Sequence, residues 1–280
     1  MLRQAGRLVW RAFNRFQDHN GPDHAAAVAY YTLMSLLPLL IFMISLGVAV
    51  MGSFEQAYRG SMILMSGVVV HMEPATVEAL RTFVERALRF RLPALFILAW
   101  TSRRIFGALF AALEKVFGVP GRGIVKGNLL ALGMVLAAGV GVLLTMASTM
   151  LMATAEGLLL RFAGPTNTEA FNALLGMAVT QVLPVVITFS FFFLIYRVVP
   201  RRVVSSKHAA GGALLATVLW EGAKKAFAYY LRNLARYAGL YGTLEGIIVL
   251  AIWLELSVSI VLFCAEVVAL LIPPKRPPKA

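Results

Sequence analysis

LPALFILAWTSRRIFGALFAALEKVF, running from Leu92 to Phe117, decides how this chain folds. About 20 apolar residues are enough for a helix to cross the roughly 30 Å hydrocarbon core of a bilayer, and this run exceeds that. Yet Arg103 and Arg104 stand near its middle. An arginine at bilayer depth costs about 2.5–3.5 kcal/mol or more unless it meets a partner or water. The stretch therefore reads as a membrane helix, and its charges oblige the rest of the chain to supply acidic or polar partners.

Composition agrees. The 280 residues are 60% hydrophobic and 14% charged, with a mean hydropathy of +0.79. Soluble domains lie nearer 45–50% apolar and about 25% charged, so the bilayer is the solvent to reason with. The net charge is +13. In a soluble protein such a balance would point to nucleic acid. Here the placement of the charges matters more, because cytoplasmic ends of membrane proteins collect Lys and Arg. No readable nucleic-acid module accompanies them, and no nucleic-acid partner is expected. The single cysteine, Cys264, excludes a disulfide within the chain and a thiolate metal cluster.

Outward from the opening stretch, five further apolar runs are long enough to span. The first lies at 28–51, the third at 127–153, the fourth at 172–199, the fifth at 208–231 and the sixth at 242–272, with 92–117 as the second. Before them, residues 1–27 form a cytoplasmic segment in which Arg3, Arg7, Arg11 and Arg15 recur every fourth position among Leu2, Val9, Trp10, Phe13 and Phe16. That spacing sets arginines and aromatics on different sides of a helix. It fits an interfacial helix on an anionic leaflet, and equally a solvated face docked on the protein itself. Asp18, His19, Asp23 and His24 cluster behind it, where Asp23 is expected to cap the first membrane helix rather than bind metal.

Pro38, near Ser35, and Pro184 are expected helix kinks, since a proline frees a backbone carbonyl that hydroxyls or neighbouring helices must satisfy. Residues 52–91 form a helical extracytoplasmic connection: Ser61–Val70 is too short to span, Glu73-Pro74 reads as a helix start, and Val77, Leu80, Val84 and Leu88 mark one face. Small residues every fourth position in the third run, Gly133, Ala137, Gly141, Thr145 and Thr149, favour close helix packing. The tail, 273–280, is basic, broken by prolines and expected to be disordered.

Fourteen of the 26 Lys and Arg residues fall in the N-terminal segment, the 115–126 and 197–207 connections and the tail, which share one side if there are six spans. This puts both termini in the cytoplasm. Arg59, Arg81, Arg86, Arg89 and Arg91 oppose the trend, lying in the connection assigned to the outer side.

Within the spans, Arg103, Arg104, Lys224 and Lys225 stand against Glu114, Glu221, Glu255 and Glu266. Arg103 and Glu114 are three turns apart on one face, as are Glu255 and Glu266. Glu221 and Lys225 are in the favourable order for an i, i+4 ion pair. The bland reading is an ion-pair network that pins the helices together. The sharper one is a polar cavity lined by these eight groups, where a charged solute binds or passes. In either case Arg103, Arg104 and Lys225 are expected to face the interior, with Glu266 as the chief candidate partner for Arg103. The histidines lack metal-ligand spacing, and no nucleophile elbow, phosphate loop or dinucleotide fingerprint occurs, so no catalytic residue, metal or cofactor is expected, and the protein is not read as an enzyme.

AAAVAYYTLMSLLPLL in the first span resembles the N-terminal signature of the YihY/BrkB family of bacterial inner-membrane proteins. AWTSRRIFGALFAALEKVFGV, YRVVP at Tyr196–Pro200, GGALLATVLWEGAKKAFAYYL and YGTLEGIIVLAIWLELSVSIVLFCAE continue it in order over nearly the whole chain. Two positions depart from the pattern: Cys264 stands where glycine is common, and Glu255 where an aromatic is common. The resemblance implies a six-span helical protein of the cytoplasmic membrane with both termini inside. Members have been labelled ribonuclease, a label regarded as misassigned, and others are linked to serum resistance or to export of envelope lipid and lipopolysaccharide.

The expected function is a transporter of an amphiphilic anionic envelope lipid, or a related solute such as a lipopolysaccharide precursor, with membrane lipids as partners. A non-transporting assembly protein of the envelope is the alternative, and a ribonuclease is disfavoured.

Overall fold

The structure, a computed structural model, describes residues 2–56, 58–59, 78, 81–82, 85–86, 91–119, 123, 125–134, 137, 140–141, 144, 182–200, 204–234 and 245–272. Among them there is no strand. The longer helices among the described residues are α1 (Leu2–Asp18), α2 (Gly21–Met51), α3 (Arg91–Phe117), α4 (Leu183–Val198), α5 (Ser206–Leu234) and α6 (Glu245–Leu271). Residues 125–134 are also helical. Among the described residues two segments are long and apolar enough to cross a membrane, Gly21–Phe42 in α2 and Gly246–Leu271 in α6, and α4 is a shorter apolar helix.

The helix ends reflect local chemistry. Asn20 takes a left-handed conformation (φ 56°) between α1 and α2, which asparagine tolerates better than most residues. A β-carbon at the next residue, Gly21, would overlap the Phe16 ring, so this reversal needs glycine. Proline lies in the first turn of α2, and Asp23 there complements the helix dipole. The N-cap is therefore Asn20, three residues before the Asp23 expected from sequence. Asn20 Nδ2 donates to the Asp23 carboxylate at 3.2 Å. Helix α2 consequently starts seven residues before the expected span at 28. It closes on Gly52, left-handed at φ 68°, whose N–H donates to Val48 O at 2.9 Å. Helix α3 ends in a Schellman turn: Gly118 N–H donates to Lys115 O at 3.2 Å and Val119 N–H to Glu114 O at 3.0 Å.

Helix α2 continues through Pro38. The nearby hydroxyls bond carbonyls further back, Ser35 to Thr32 O at 2.7 Å and Thr32 to Val28 O at 2.8 Å. Pro184 lies in the first turn of α4, a position where proline is common. The expectations for Ser61–Val70, Glu73-Pro74, the face at Val77, Leu80, Val84 and Leu88, Thr145, Thr149 and the tail lie outside the described residues, as does most of 134–181.

Two compact units divide the chain. The first comprises 1–13, 113–222 and 263–280; the second comprises 14–112 and 223–262. Helices α1, α3, α5 and α6 each contribute a stretch to both.

In the first unit, α4, α5 and α6 pack around Tyr196, Ala213 and Val268, all fully buried. Phe192 and Trp220 meet edge to face at 5.7 Å. A β-carbon on Gly212 would overlap Val268 Cγ2, so α5 and α6 approach as closely as glycine allows. Gly141 does the same more gently, with Ile187 Cγ2 3.1 Å from where a β-carbon would lie. Gly133, in the same small-residue series, faces open space. The link from α4 to α5 is tied by Arg197, whose Nη1 donates to Val204 O at 2.5 Å. Ser205 then caps α5, its Oγ accepting from His208 N–H at 3.4 Å and lying 2.9 Å from His208 Nδ1.

In the second unit, α2 buries Ala25, Ala29, Leu40 and Ile44, and α5 and α6 meet through Phe227 and Trp253 with ring centroids 5.0 Å apart. Beyond α2, Glu55 accepts from Arg59 Nε at 2.7 Å and from Arg81 Nη2 at 2.8 Å. Arg81 also lies 3.9 Å from Glu78. Two of the five arginines that oppose the charge asymmetry are thus balanced locally by carboxylates.

Candidate functional site

Helix α3 is apolar on nearly every side, so its sequence does not dictate which face turns inward. In the second unit its residues Phe96, Ile97, Trp100, Arg103 and Arg104 are all exposed, Phe96 at 75% and Trp100 at 52%. Spacings of three and four gather them into one outward stripe. The Arg104 guanidinium carbon lies 5.2 Å from the Trp100 ring centroid and 5.8 Å from that of Tyr31 on α2. Tyr31 in turn packs against Tyr30, with centroids 5.5 Å apart. The result is a cation held on an aromatic bracket, open on its far side.

This corrects the expectation that Arg103, Arg104 and Lys225 face inward: all three are exposed. Among the described residues neither Arg103 nor Lys225 makes an ion pair. The physical reason is desolvation. Burying a guanidinium and a carboxylate together strips both of water, and their attraction often fails to repay it. A ring face stabilises the cation while leaving it hydrated.

The remaining charged groups are spread over both units. Lys224 (half-buried) and Glu255 (exposed) belong to the second unit with the arginines and Lys225; Glu114, Glu221 and Glu266 belong to the first. Glu114 and Glu221 are half-buried and engaged with neighbours. Glu266 is 0% exposed, between Ala265 and Val267 in the core of α6, and is also engaged. Two residues before it, Cys264 is buried as well. Among the described residues no three of His, Cys, Asp and Glu are arranged to hold a metal ion.

Outside the spans, the Arg59 hydrogen bond lowers the Glu55 pKa, assisted by the charges of Arg81 and Arg59 and opposed by partial desolvation. Burial raises that of Tyr58.

Sequence reasoning missed the aromatic bracket, although its signal was present: Trp100 and Arg104 stand one turn apart on α3. It also missed Gly212. There the signal was the row of small residues Ala209, Gly212, Ala213 and Ala216 at helical spacing, all buried.

The sequence profile described as Virulence factor BrkB matches residues 12–278. Among curated proteins, the chain is similar to UPF0761 membrane proteins of Xanthomonas axonopodis pv. citri (strain 306) and of Xanthomonas euvesicatoria pv. vesicatoria (strain 85-10). Each is 29% identical over 272 residues, covering 92% of this chain and 58% of the relative. The chain thus spans well under two thirds of the length of the curated relatives it matches. No solved structure matches it.

Proposed function

The chain is a helical membrane protein belonging to the Virulence factor BrkB family, and from that premise we propose that it moves an anionic amphiphile, an envelope lipid or a related solute such as a lipopolysaccharide precursor, between the leaflets of the bacterial cytoplasmic membrane. In this reading the chain crosses six times, with both termini in the cytoplasm and α1 at the interface. The reading rests on one observation: Arg103 and Arg104 lie in the middle of a 27-residue helix and both are exposed.

A cation at membrane depth that faces away from its own protein lowers the cost of carrying an anionic headgroup through hydrocarbon. The headgroup meets Arg103 and Arg104 while its acyl chains stay in lipid beside Phe96 and Ile97. The route runs along the outside of α3 rather than through an enclosed cavity, and Lys225 and Glu255, exposed on α5 and α6, are further polar steps for it.

The test is translocation of fluorescent phosphatidylglycerol in liposomes holding the purified full chain. Arg103→Gln with Arg104→Gln should slow transfer at least tenfold while leaving the fold intact by circular dichroism. Absence of movement by the unaltered protein across a panel of anionic lipids would defeat the proposal and favour an assembly role.

A further inference from the structure

In the first unit, α1 and the end of α6 enclose a small cleft that the transport reading does not use. It is lined by Arg7, Leu8, Arg11 and Leu270 and has a volume of about 160 Å³. Arg7 and Arg11 stand one turn apart on α1, are both exposed, and form no ion pair among the described residues. Like charges at this spacing repel, so the pair is a cost to the isolated helix and a gain once an anion sits between the two guanidinium groups. Two adjacent arginine forks suit the oxygens of a phosphate.

Depth identifies the source of that phosphate. Leu270 is the penultimate residue of the apolar segment Gly246–Leu271, so the cleft lies where hydrocarbon gives way to headgroups. On α1, Val9, Trp10 and Phe13 are exposed, Trp10 at 65%, and the Trp10 and Phe13 rings stack at 6.3 Å. Aromatic residues of this kind settle at the membrane interface. The cleft is smaller than the roughly 300–1,000 Å³ of sites that enclose a whole small molecule. It has room for a headgroup, and leaves acyl chains to run down past Leu8 and Leu270.

We propose that Arg7 and Arg11, with Leu8 and Leu270, form a binding site for the phosphodiester headgroup of an anionic phospholipid, which holds α1 against the end of α6. This site needs no transport and is separate from the α3 stripe. Basic pockets beside membrane helices bind lipid phosphates through the same chemistry.

The experiment measures the immobilised fraction of spin-labelled phosphatidylglycerol and spin-labelled phosphatidylcholine in liposomes containing the full chain. With Arg7 and Arg11 intact the protein should prefer phosphatidylglycerol. Each guanidinium near an anionic headgroup is worth roughly fivefold in binding, so Arg7→Gln with Arg11→Gln should cut the preference by about 25-fold. Arg7→Lys with Arg11→Lys, which keeps the charge, should retain much of it. All of these proteins are compared in an Arg103→Gln, Arg104→Gln background, so that lipid held at the α3 stripe does not enter the reading. A full preference after Arg7→Gln with Arg11→Gln would overturn the proposal. So would displacement of the labelled lipid by millimolar inorganic phosphate, which would make the cleft a site for the free anion.

Discussion

Gly212 on α5 leaves no room for a side chain against Val268 on α6: any β-carbon there would overlap the valine methyl. Valine is branched at Cβ and has little rotamer freedom to yield. Gly212→Ala should therefore destabilise the protein by about 1–3 kcal/mol, the usual cost of overpacking. Its neighbour Gly211 faces open space, so Gly211→Ala should be neutral or stabilising by up to about 1 kcal/mol. Thermal unfolding of both variants in one detergent checks the contrast, and equal melting temperatures would refute it.

The bracket of Tyr31 and Trp100 around Arg104 predicts a measurable coupling. An exposed cation–π contact contributes about 0.5–1 kcal/mol. A double-mutant cycle of Trp100→Leu and Arg104→Gln, read by chemical unfolding, should return an interaction energy of about that size.

Glu55 makes the connection after α2 sensitive to acid. Its pKa is lowered in the folded protein, first by the Arg59 hydrogen bond. A carboxylate with a depressed folded pKa contributes stability above its unfolded pKa and loses it as pH falls through the folded value. Stability should therefore be flat near neutrality and decline below about pH 4, the ordinary carboxylate range. Glu55→Gln should lower stability at pH 7 and remove part of that decline. An unchanged pH profile in the variant would show that the Arg59 and Arg81 contacts contribute nothing.

Glu266 is wholly enclosed, so the packing around it depends on its volume. Glu266→Ala should cost about 2–5 kcal/mol, as other large-to-alanine changes in a core do, and Glu266→Gln, which keeps the volume, should cost less. Folded yield after membrane extraction orders the variants. A glutamine variant worse than alanine would show that the negative charge dominates.

Much of the helical framework was legible. The run at 92–117 became Arg91–Phe117, 208–231 became Ser206–Leu234 and 242–272 became Glu245–Leu271, because apolar length and glycine or serine boundaries are local properties that survive packing. The start of α2 was misjudged for a local reason too. Asn20, Gly21 and Pro22 already spell a reversal and a helix start, but the polar residues behind them drew the boundary later. The direction of Arg103 and Arg104 was not legible. A helix apolar all round carries no mark of its inner face, and the choice between a carboxylate and an aromatic bracket is made by residues as distant in sequence as Tyr31. Glu266 stands among apolar neighbours in the sequence, but the sequence does not say how deeply it is enclosed.

The tie between Arg197 and the carbonyl of Val204 spans only seven residues, and Phe192 and Trp220 close the same pair of helices one step further out. Contacts so near in sequence form with little loss of chain entropy. Helices α4 and α5 can join while the ribosome is still extending the chain, before α6 has been made. The hairpin is then a finished template when α6 arrives, and the bare backbone of Gly212 is the slot that receives Val268. The order of synthesis is thereby also an order of assembly, in which α6 docks onto a surface already shaped for it.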